Sequence, residues 1–301
     1  MKLALTGATG FVGSRFVRAA LEAGHEVQAL ARRPQPARAG VRWVAGSLSE
    51  REALEALVDG ADAVIHIAGV ISAPNASAFA AGNVDGTLAM LAAATAAGTR
   101  RFVHVSSLAA REPGISLYGA SKAKAEELVG GSGLEWTIVR PPAVYGPGDR
   151  ETLELFKMAR LGLLVMPPRG HLSIIHVDDL ASLLLALAAP TAPSREMFEA
   201  DDGTPGGWTH RAFGQALGAA VGRRPLILSA PAALLKFGAR ADQLIRRERA
   251  KLTADRAAYF SHDDWVIDTN RRPPPELWAP AIPTVQGLAD TAAWYRACGW
   301  L

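Results

Sequence analysis

Cysteine and long apolar runs are scarce in this sequence, and each shortage excludes a class of protein. Cys298 is the single cysteine among 301 residues, so neither an internal disulfide nor a zinc site of several thiolates can form. The most apolar stretch, 180–189, is too short to span a bilayer as a helix, and no signal-peptide pattern opens the chain. We therefore expect a cytoplasmic protein without a membrane partner.

The sequence also lacks a large net charge of either sign. The formal net charge is +3, and arginine pairs are scattered rather than gathered into a basic run with interleaved aromatics. This distribution predicts no nucleic-acid partner. Charged residues make up 20% and apolar residues 49%, which excludes wholesale disorder and indicates a globular protein. The mild positive excess suits an anionic small molecule.

Strand and helix patterns alternate through the first half of the chain. They fall at 2–6, 14–23, 27–31, 41–45, 52–58, 63–68, 83–97, 102–106, 120–129 and 136–140. This alternation predicts an α/β fold with a doubly wound parallel sheet of the Rossmann type. The rhythm changes after Pro141, so we predict a dinucleotide-binding domain over 1–145, to which 174–188 returns. A smaller, mostly C-terminal α+β domain over 146–301 is predicted to bind the substrate.

A glycine-rich turn lies between the first strand and the first helix. Its glycines allow the backbone to turn sharply and approach a pyrophosphate, while the following helix directs free N–H groups at the anion. The predicted cofactor-binding residues of this turn are Gly7, Thr9, Gly10, Phe11, Val12 and Gly13.

The end of the second strand indicates which dinucleotide binds. NAD sites generally place a carboxylate there to hold the ribose hydroxyls, whereas a 2′-phosphate needs arginine. Ala31 occupies that position and is followed by Arg32 and Arg33. The sequence therefore predicts NADP(H) as the preferred cofactor, with NAD(H) as the alternative.

Tyr118 and Lys122 are four positions apart at the start of the predicted helix, a spacing that puts two side chains on one face of a helix. A free phenol titrates near pH ~10, too high for acid–base work at neutral pH. A nearby ammonium and a cationic nicotinamide are expected to lower the pKa of Tyr118. The phenol can then exchange a proton with a carbonyl or hydroxyl oxygen as hydride moves. Ser106 and Ser107 close the preceding strand, where a hydroxyl can hold that oxygen.

Further segments, at 66–69, 140–148 and 175–181, follow in order along the chain. Together with the glycine turn, they resemble the extended branch of the short-chain dehydrogenase/reductases, also called the NAD-dependent epimerase/dehydratase family. The resemblance implies a catalytic triad of Ser107, Tyr118 and Lys122, supported by Asn83. It also implies that cofactor contacts come from Tyr118, Lys122, Ser47, Leu48, Ala68, Gly69, Pro141 and Val144.

Departures from the family pattern reduce the number of reactions that this protein is expected to catalyse. Ser47 replaces an aspartate that holds the adenine. Leu108 and Ala109 stand where dehydratases carry the Asp and Glu that an elimination needs, and Ala143 replaces an asparagine common in nucleotide-sugar enzymes. We therefore predict an oxidoreductase that interconverts a carbonyl and a secondary alcohol, similar to dihydroflavonol reductases and hydroxysteroid dehydrogenases. A nucleotide-sugar epimerase and a non-catalytic dinucleotide-binding subunit or sensor remain as alternatives.

The sequence also allows expectations about a metal, a membrane and a second copy of the chain. His66 and His104 lack a carboxylate at ligand spacing, so no metal is expected. The segment Leu234–Ile245 is amphipathic, which favours a core or dimer face over membrane contact. We expect a small-molecule substrate and leave a homodimer open.

Overall fold

The structure, a computed structural model, describes residues 1–167, 169–229, 255, 258–259 and 262–301. The amphipathic segment Leu234–Ile245 lies outside these residues. The chain divides into two compact units. The first comprises Met1–Pro141, Asp178–Ala200 and Thr269–Ala279, and the second comprises Pro142–Val177, Asp201–Asp268 and Pro280–Leu301. That these units separate cofactor binding from substrate binding stays a prediction.

The strands and helices are numbered here in chain order. The strands are β1 (Lys2–Thr6), β2 (Glu26–Ala31), β3 (Val41–Ala45), β4 (Ala63–His66), β5 (Arg101–Val105), β6 (Glu135–Arg140), β7 (Ala143–Tyr145), β8 (Leu163–Met166), β9 (His171–Leu172), β10 (Ile174–His176), β11 (Glu196–Glu199), β12 (Trp208–Thr209), β13 (Leu226–Ser229) and β14 (Asp264–Trp265). The α-helices are α1 (Phe11–Glu22), α2 (Arg51–Val58), α3 (Ala76–Phe79), α4 (Gly86–Ala96), α5 (Leu117–Gly130), α6 (Leu153–Arg160), α7 (Val177–Ala188), α8 (His210–Ala220) and α9 (Thr284–Ala297).

The first unit is built on a seven-stranded sheet in the order β11-β6-β5-β4-β1-β2-β3. Every neighbouring pair in it is parallel. Strands β4 and β5 are buried along their whole length, as expected when helices cover both faces of a parallel sheet. The predicted Rossmann α/β fold is therefore confirmed. The strand order reverses between β1 and β4, and the glycine turn follows β1 at this switch point.

The seventh strand, β11, is not predicted by the sequence pattern. It has only four residues, with Glu196 and Glu199 at its ends, so the apolar signal of a strand is weak. It pairs with β6 from Glu196 opposite Thr137 to Glu199 opposite Arg140. The buried guanidinium of Arg101 fixes the approach to β11 by donating to the carbonyl oxygens of Leu187 and Pro193 and to the Thr137 hydroxyl.

An ion pair fastens α7 to α1 within the first unit. Asp178 accepts two hydrogen bonds from Arg15, at 2.6 and 2.7 Å, and lies 2.9 Å from Arg18. The chain thus returns to the Rossmann unit at residue 178, and α7 packs beside the helix that follows the glycine turn.

The second unit is mixed α and β. It contains the parallel pairs β7–β10 and β8–β13 and a three-stranded sheet in the order β12-β9-β14. Phe156, Phe213 and Leu288 from α6, α8 and α9 share one apolar cluster with Tyr145 and Tyr295. The Tyr295 hydroxyl donates to the carbonyl oxygen of Asp149 at 2.7 Å, which ties α9 to the turn after β7.

Candidate active site

The glycine turn has the geometry of an anion-binding loop. Gly7 has a φ of +77°, and a Cβ there would lie 2.8 Å from the backbone nitrogen of Ala68. A Cβ on Gly13 would lie 2.0 Å from the carbonyl oxygen of Gly7, so the first turn of α1 can pack this closely only without a side chain. Gly10 caps α1 without a side-chain hydrogen bond. The first N–H groups of the helix are therefore available to a phosphate, which fits the predicted dinucleotide.

The loop after β4 joins the glycine turn to the predicted catalytic helix. The Ala68 N–H donates to the Thr6 hydroxyl at 3.2 Å, which holds the loop against the end of β1. A Cβ on Gly69 would lie 3.1 Å from both Asn83 Oδ1 and Lys122 Nζ. Gly69 thus brings the predicted cofactor loop into direct contact with two of the predicted catalytic residues.

Asn83 is buried in a π-helical segment, Ala80–Asp85, whereas the sequence pattern predicts an ordinary helix that begins at Asn83. π-Helical turns are rare and often mark functional sites. The Asn83 amide accepts from the Val70 N–H at 2.6 Å and donates to the Val70 carbonyl at 2.9 Å. It also donates to Ser121 Oγ at 2.8 Å, and Ser121 in turn donates to the carbonyl oxygen of Tyr118. Asn83 therefore fastens the Tyr118 turn of α5 to the loop after β4.

Tyr118 and Ser107 come together at the predicted acid–base position, where the Ser107 hydroxyl acts to lower the pKa of the Tyr118 phenol. Burial raises the pKa of the Tyr118 phenol above its ordinary value, and the Ser107 hydrogen bond opposes this rise only in part. A lowered pKa in the presence of the nicotinamide stays a prediction, and in the protein without cofactor the pKa is raised. Desolvation disfavours the phenolate, and its effect on the Tyr118 pKa exceeds that of the Ser107 hydrogen bond.

Lys122 is buried beside this pair and directs its ammonium at the end of β5, donating to the Val105 carbonyl oxygen at 2.9 Å. Burial lowers the pKa of Lys122 to about 8, while the nearby Glu126 carboxylate acts in the opposite direction. The lysine is thus close to its titration point at neutral to mildly basic pH.

A buried charge cluster behind Lys122 is not predicted by any of the sequence motifs. Glu126 lies one turn beyond Lys122 on α5, accepts from Ser106 Oγ at 2.6 Å and receives two hydrogen bonds from Arg140, at 2.8 and 2.6 Å. Arg140 also reaches Glu199 of β11 at 3.3 Å. The neighbouring serines therefore differ in their partners, since Ser106 donates to Glu126 of this cluster and the Ser107 hydroxyl accepts from the Ala109 N–H. The regular spacing of Tyr118, Lys122 and Glu126 was the available signal.

The predicted cofactor residues outside the loops are more dispersed. Arg32 and Arg33 are exposed directly after β2, and among the described residues neither guanidinium has an ion-pair or hydrogen-bond partner. The Ser47 hydroxyl donates to Glu50 at 2.7 Å. Leu48 packs against Gly86, where a Cβ would lie 2.7 Å from Leu48 Cδ1. Two more predicted contacts lie further along the chain: Pro141 is buried at the end of the first unit, and Val144 lies in β7 of the second.

His66 and His104 are buried side by side on β4 and β5, with ring centroids 5.5 Å apart. Burial and the nearby Lys122 lower the pKa of His66 to about 3, and His66 Nδ1 and Nε2 are in hydrogen-bond contact with Thr6 and Thr87. Burial also lowers the pKa of His104, so both imidazoles are neutral. Within the described part of the chain, no group of three His, Cys, Asp or Glu side chains is arranged to hold a metal ion.

Comparisons with known proteins agree with this geometry. Residues 7–188 match the profile of the NAD(P)H-binding family. The chain is 37% identical to a protein named ceramide reductase from Caulobacter vibrioides, over 99% of this chain and 96% of the relative. It is 32% identical to 4-hydroxy-2-methyl-3-oxo-4-farnesyl-3,4-dihydroquinoline-1-oxide ketoreductase from Stigmatella aurantiaca, over 68% of this chain and 69% of the relative. The Bordetella bronchiseptica enzyme WbmG in complex with NAD shares the fold, with a TM-score of 0.78 at 20% identity over 100% and 95% of the two chains.

The chain therefore belongs to the NAD(P)H-binding family of extended short-chain dehydrogenase/reductases. It is an NAD(P)-dependent oxidoreductase whose cofactor is a nicotinamide dinucleotide. None of the helices in the described ranges combines the length and apolar character needed to span a bilayer.

Proposed function

We propose that this protein is an NADP(H)-dependent ketoreductase in which Tyr118 donates the proton that completes carbonyl reduction. The observation that carries the proposal is the placement of Lys122, which is buried one helical turn beyond Tyr118 and donates to the Val105 carbonyl oxygen at the end of the strand that leads to Ser107. Hydride would come from a dihydronicotinamide whose pyrophosphate the glycine turn, Gly7 to Gly13, would hold. Tyr118 gives its proton to the carbonyl oxygen, which Ser107 holds through its hydroxyl.

The raised pKa of Tyr118 keeps its phenol protonated at neutral pH in the protein without cofactor, and the bound nicotinamide is expected to bring that pKa down towards the working range. A phenol that stays protonated at neutral pH is ready to act as a general acid, whereas alcohol oxidation needs the phenolate as a base. Lys122, whose pKa of about 8 keeps it largely cationic at neutral pH, stabilises the phenolate that remains after proton transfer.

The preference for NADP(H) is supported by the end of β2. Ala31 offers no carboxylate to the ribose, and the adjacent Arg32 and Arg33 are exposed with no ion-pair or hydrogen-bond partner among the described residues. Arginine binds phosphate through charge-assisted hydrogen bonds, so either side chain can take a 2′-phosphate.

The substrate class is proposed from the relatives. One, covered almost end to end at 37% identity, is named as a ceramide reductase, and the other is named as a ketoreductase of a farnesylated quinoline. Both names describe lipophilic compounds. We infer that this chain reduces a ketone on a ceramide-like lipid.

The test is turnover of such a lipid by the purified protein. A ceramide carrying a ketone, dispersed in detergent micelles, should oxidise NADPH and yield the corresponding secondary alcohol by mass spectrometry. A ceramide without a ketone is the matched control and should leave NADPH unchanged. If neither this lipid nor a panel of water-soluble ketones is reduced, the ketoreductase proposal is wrong.

A further inference from the structure

Four exposed leucines lie close together in the second unit. Leu161, Leu163, Leu226 and Leu228 are 81%, 41%, 63% and 45% exposed, and together they are called the leucine patch here. Single exposed apolar residues are ordinary, but a contiguous group on a protein surface marks a site of interaction.

The pairing of β8 and β13 places three of these side chains on one face. Leu226 is opposite Leu163 and Leu228 is opposite Val165, so Leu163, Leu226 and Leu228 project from the same side of the parallel pair. Leu164 and Met166, which alternate with them, are buried on the other side. The Leu226 N–H donates to the Gly162 carbonyl at 2.9 Å, which brings the strand start against the turn that carries Leu161.

The residues that flank the leucine patch in the chain are basic. Arg160 ends α6 directly before Leu161, and Arg223 and Arg224 precede β13; all three are exposed. The nearest acidic residue on α6, Glu154, lies 3.5 Å from Lys157, so that carboxylate is already matched by a cation. An apolar centre with a cationic border is complementary to anionic phosphate groups above an apolar layer.

We propose that the leucine patch binds the surface of an anionic lipid bilayer. Leucine side chains would enter the boundary between headgroups and acyl chains, typically ~5–10 Å deep, while the arginines contact lipid phosphates. The proposal rests on the proposed function, because a ceramide-like substrate resides in a bilayer. It departs from the expectation that no membrane is involved, since peripheral binding needs no membrane-spanning helix.

Vesicle co-sedimentation tests the proposal directly. The full-length protein should sediment with vesicles of phosphatidylcholine and phosphatidylglycerol, and at least tenfold less with phosphatidylcholine alone. High salt should weaken the binding, because exposed charges are screened. The double variant Leu226→Glu with Leu228→Glu should bind the anionic vesicles at least tenfold more weakly. Val285→Glu is the matched control, since Val285 is also 63% exposed in the second unit but belongs to α9.

A second pair of substitutions tests the proposal without changing β13, in case the leucine variant misfolds. Arg223→Glu with Arg224→Glu changes only the residues before the strand and should also lose the preference for anionic vesicles. The proposal is overturned if the wild-type protein stays in solution with anionic vesicles, or if Val285→Glu loses as much binding as the leucine variant. It is also overturned if sedimentation velocity shows a dimer that the leucine variant abolishes, since the patch would then bind a second copy.

Catalysis of a water-soluble ketone separates this proposal from the ketoreductase assignment. The leucine and arginine variants should reduce such a ketone at the wild-type rate, because none of these residues belongs to the catalytic site. Normal reduction of the soluble ketone without vesicle binding would overturn the docking surface alone. Vesicle binding without reduction of any ketone would instead overturn the proposed function.

Discussion

The ammonium of Lys122 donates to the carbonyl oxygen of Val105 across 2.9 Å, which fixes the lysine against the end of β5. The side chain is buried, and its pKa is lowered to about 8. In the unfolded chain the same lysine titrates near its ordinary value of 10.5. The folded state therefore releases this proton at a lower pH than the unfolded state does.

This difference predicts how Lys122 affects stability as pH changes. Between pH ~8 and ~10 the unfolded chain binds more protons at Lys122, so the lysine's destabilising effect is full below pH 8 and diminishes as pH rises. Lys122→Met should therefore raise the free energy of unfolding at pH 7, and the gain should shrink towards pH 10. Urea denaturation of the cofactor-free protein at each pH measures this. Lys124→Met, at an exposed lysine on the same helix, should show no comparable trend.

Removing the Tyr118 hydroxyl should impair chemistry and leave binding intact. General acid catalysis typically contributes ~10²–10⁴-fold, so Tyr118→Phe should reduce kcat by about that factor. NADPH affinity, measured by fluorescence titration, should change less than twofold. Wild-type turnover in this variant would contradict the assignment and favour the non-catalytic sensor. Ser107→Ala should also reduce kcat, because it removes the hydroxyl that holds the substrate oxygen.

The two arginines after β2 should determine the choice of dinucleotide. A charged hydrogen bond contributes ~1.5–3 kcal/mol, so Arg32→Ala or Arg33→Ala should weaken NADPH binding about 10-fold to 100-fold. NADH lacks the 2′-phosphate, and its affinity should be unchanged. Isothermal titration calorimetry with both cofactors measures the two effects. Arg38→Ala removes another exposed arginine of the same loop and should alter neither affinity; equal losses for NADPH and NADH would disprove a phosphate contact.

Glu126 should matter far more for stability than its exposed neighbour Glu127. Breaking a buried ion pair costs ~3–5 kcal/mol, and Glu126→Gln should lie at the lower end because Arg140 keeps Glu199. Glu127→Gln removes only the exposed contact with Lys124, worth at most ~1 kcal/mol. Chemical denaturation of both variants compares them.

Glu126 also acts on the lysine one turn away. Its carboxylate raises the pKa of Lys122, so Glu126→Gln should lower that pKa further. The pH at which activity falls with loss of the Lys122 ammonium should move downward in this variant. A purely structural role for Glu126 would lower stability and leave this pH midpoint in place.

Much of this site could be predicted because its requirements are local. Gly7 and Gly13 are needed wherever a turn and a helix approach this closely, and the spacing of Tyr118 and Lys122 follows from helix geometry alone. Contacts and pKa shifts that depend on residues far away in the sequence could not be predicted. Arg140 and Glu199 are 59 positions apart, and the sign of the Tyr118 pKa shift depends on burial that no local pattern encodes.

The late arrival of β11 has a consequence during synthesis on the ribosome. At ~5–20 residues per second, roughly 3–12 s separate the appearance of Arg140 from that of Glu199. For that interval β6 is an open sheet edge whose N–H and C=O groups can pair with a neighbouring nascent chain. The nascent Rossmann unit therefore passes through an aggregation-prone stage that ends only when the last short strand emerges.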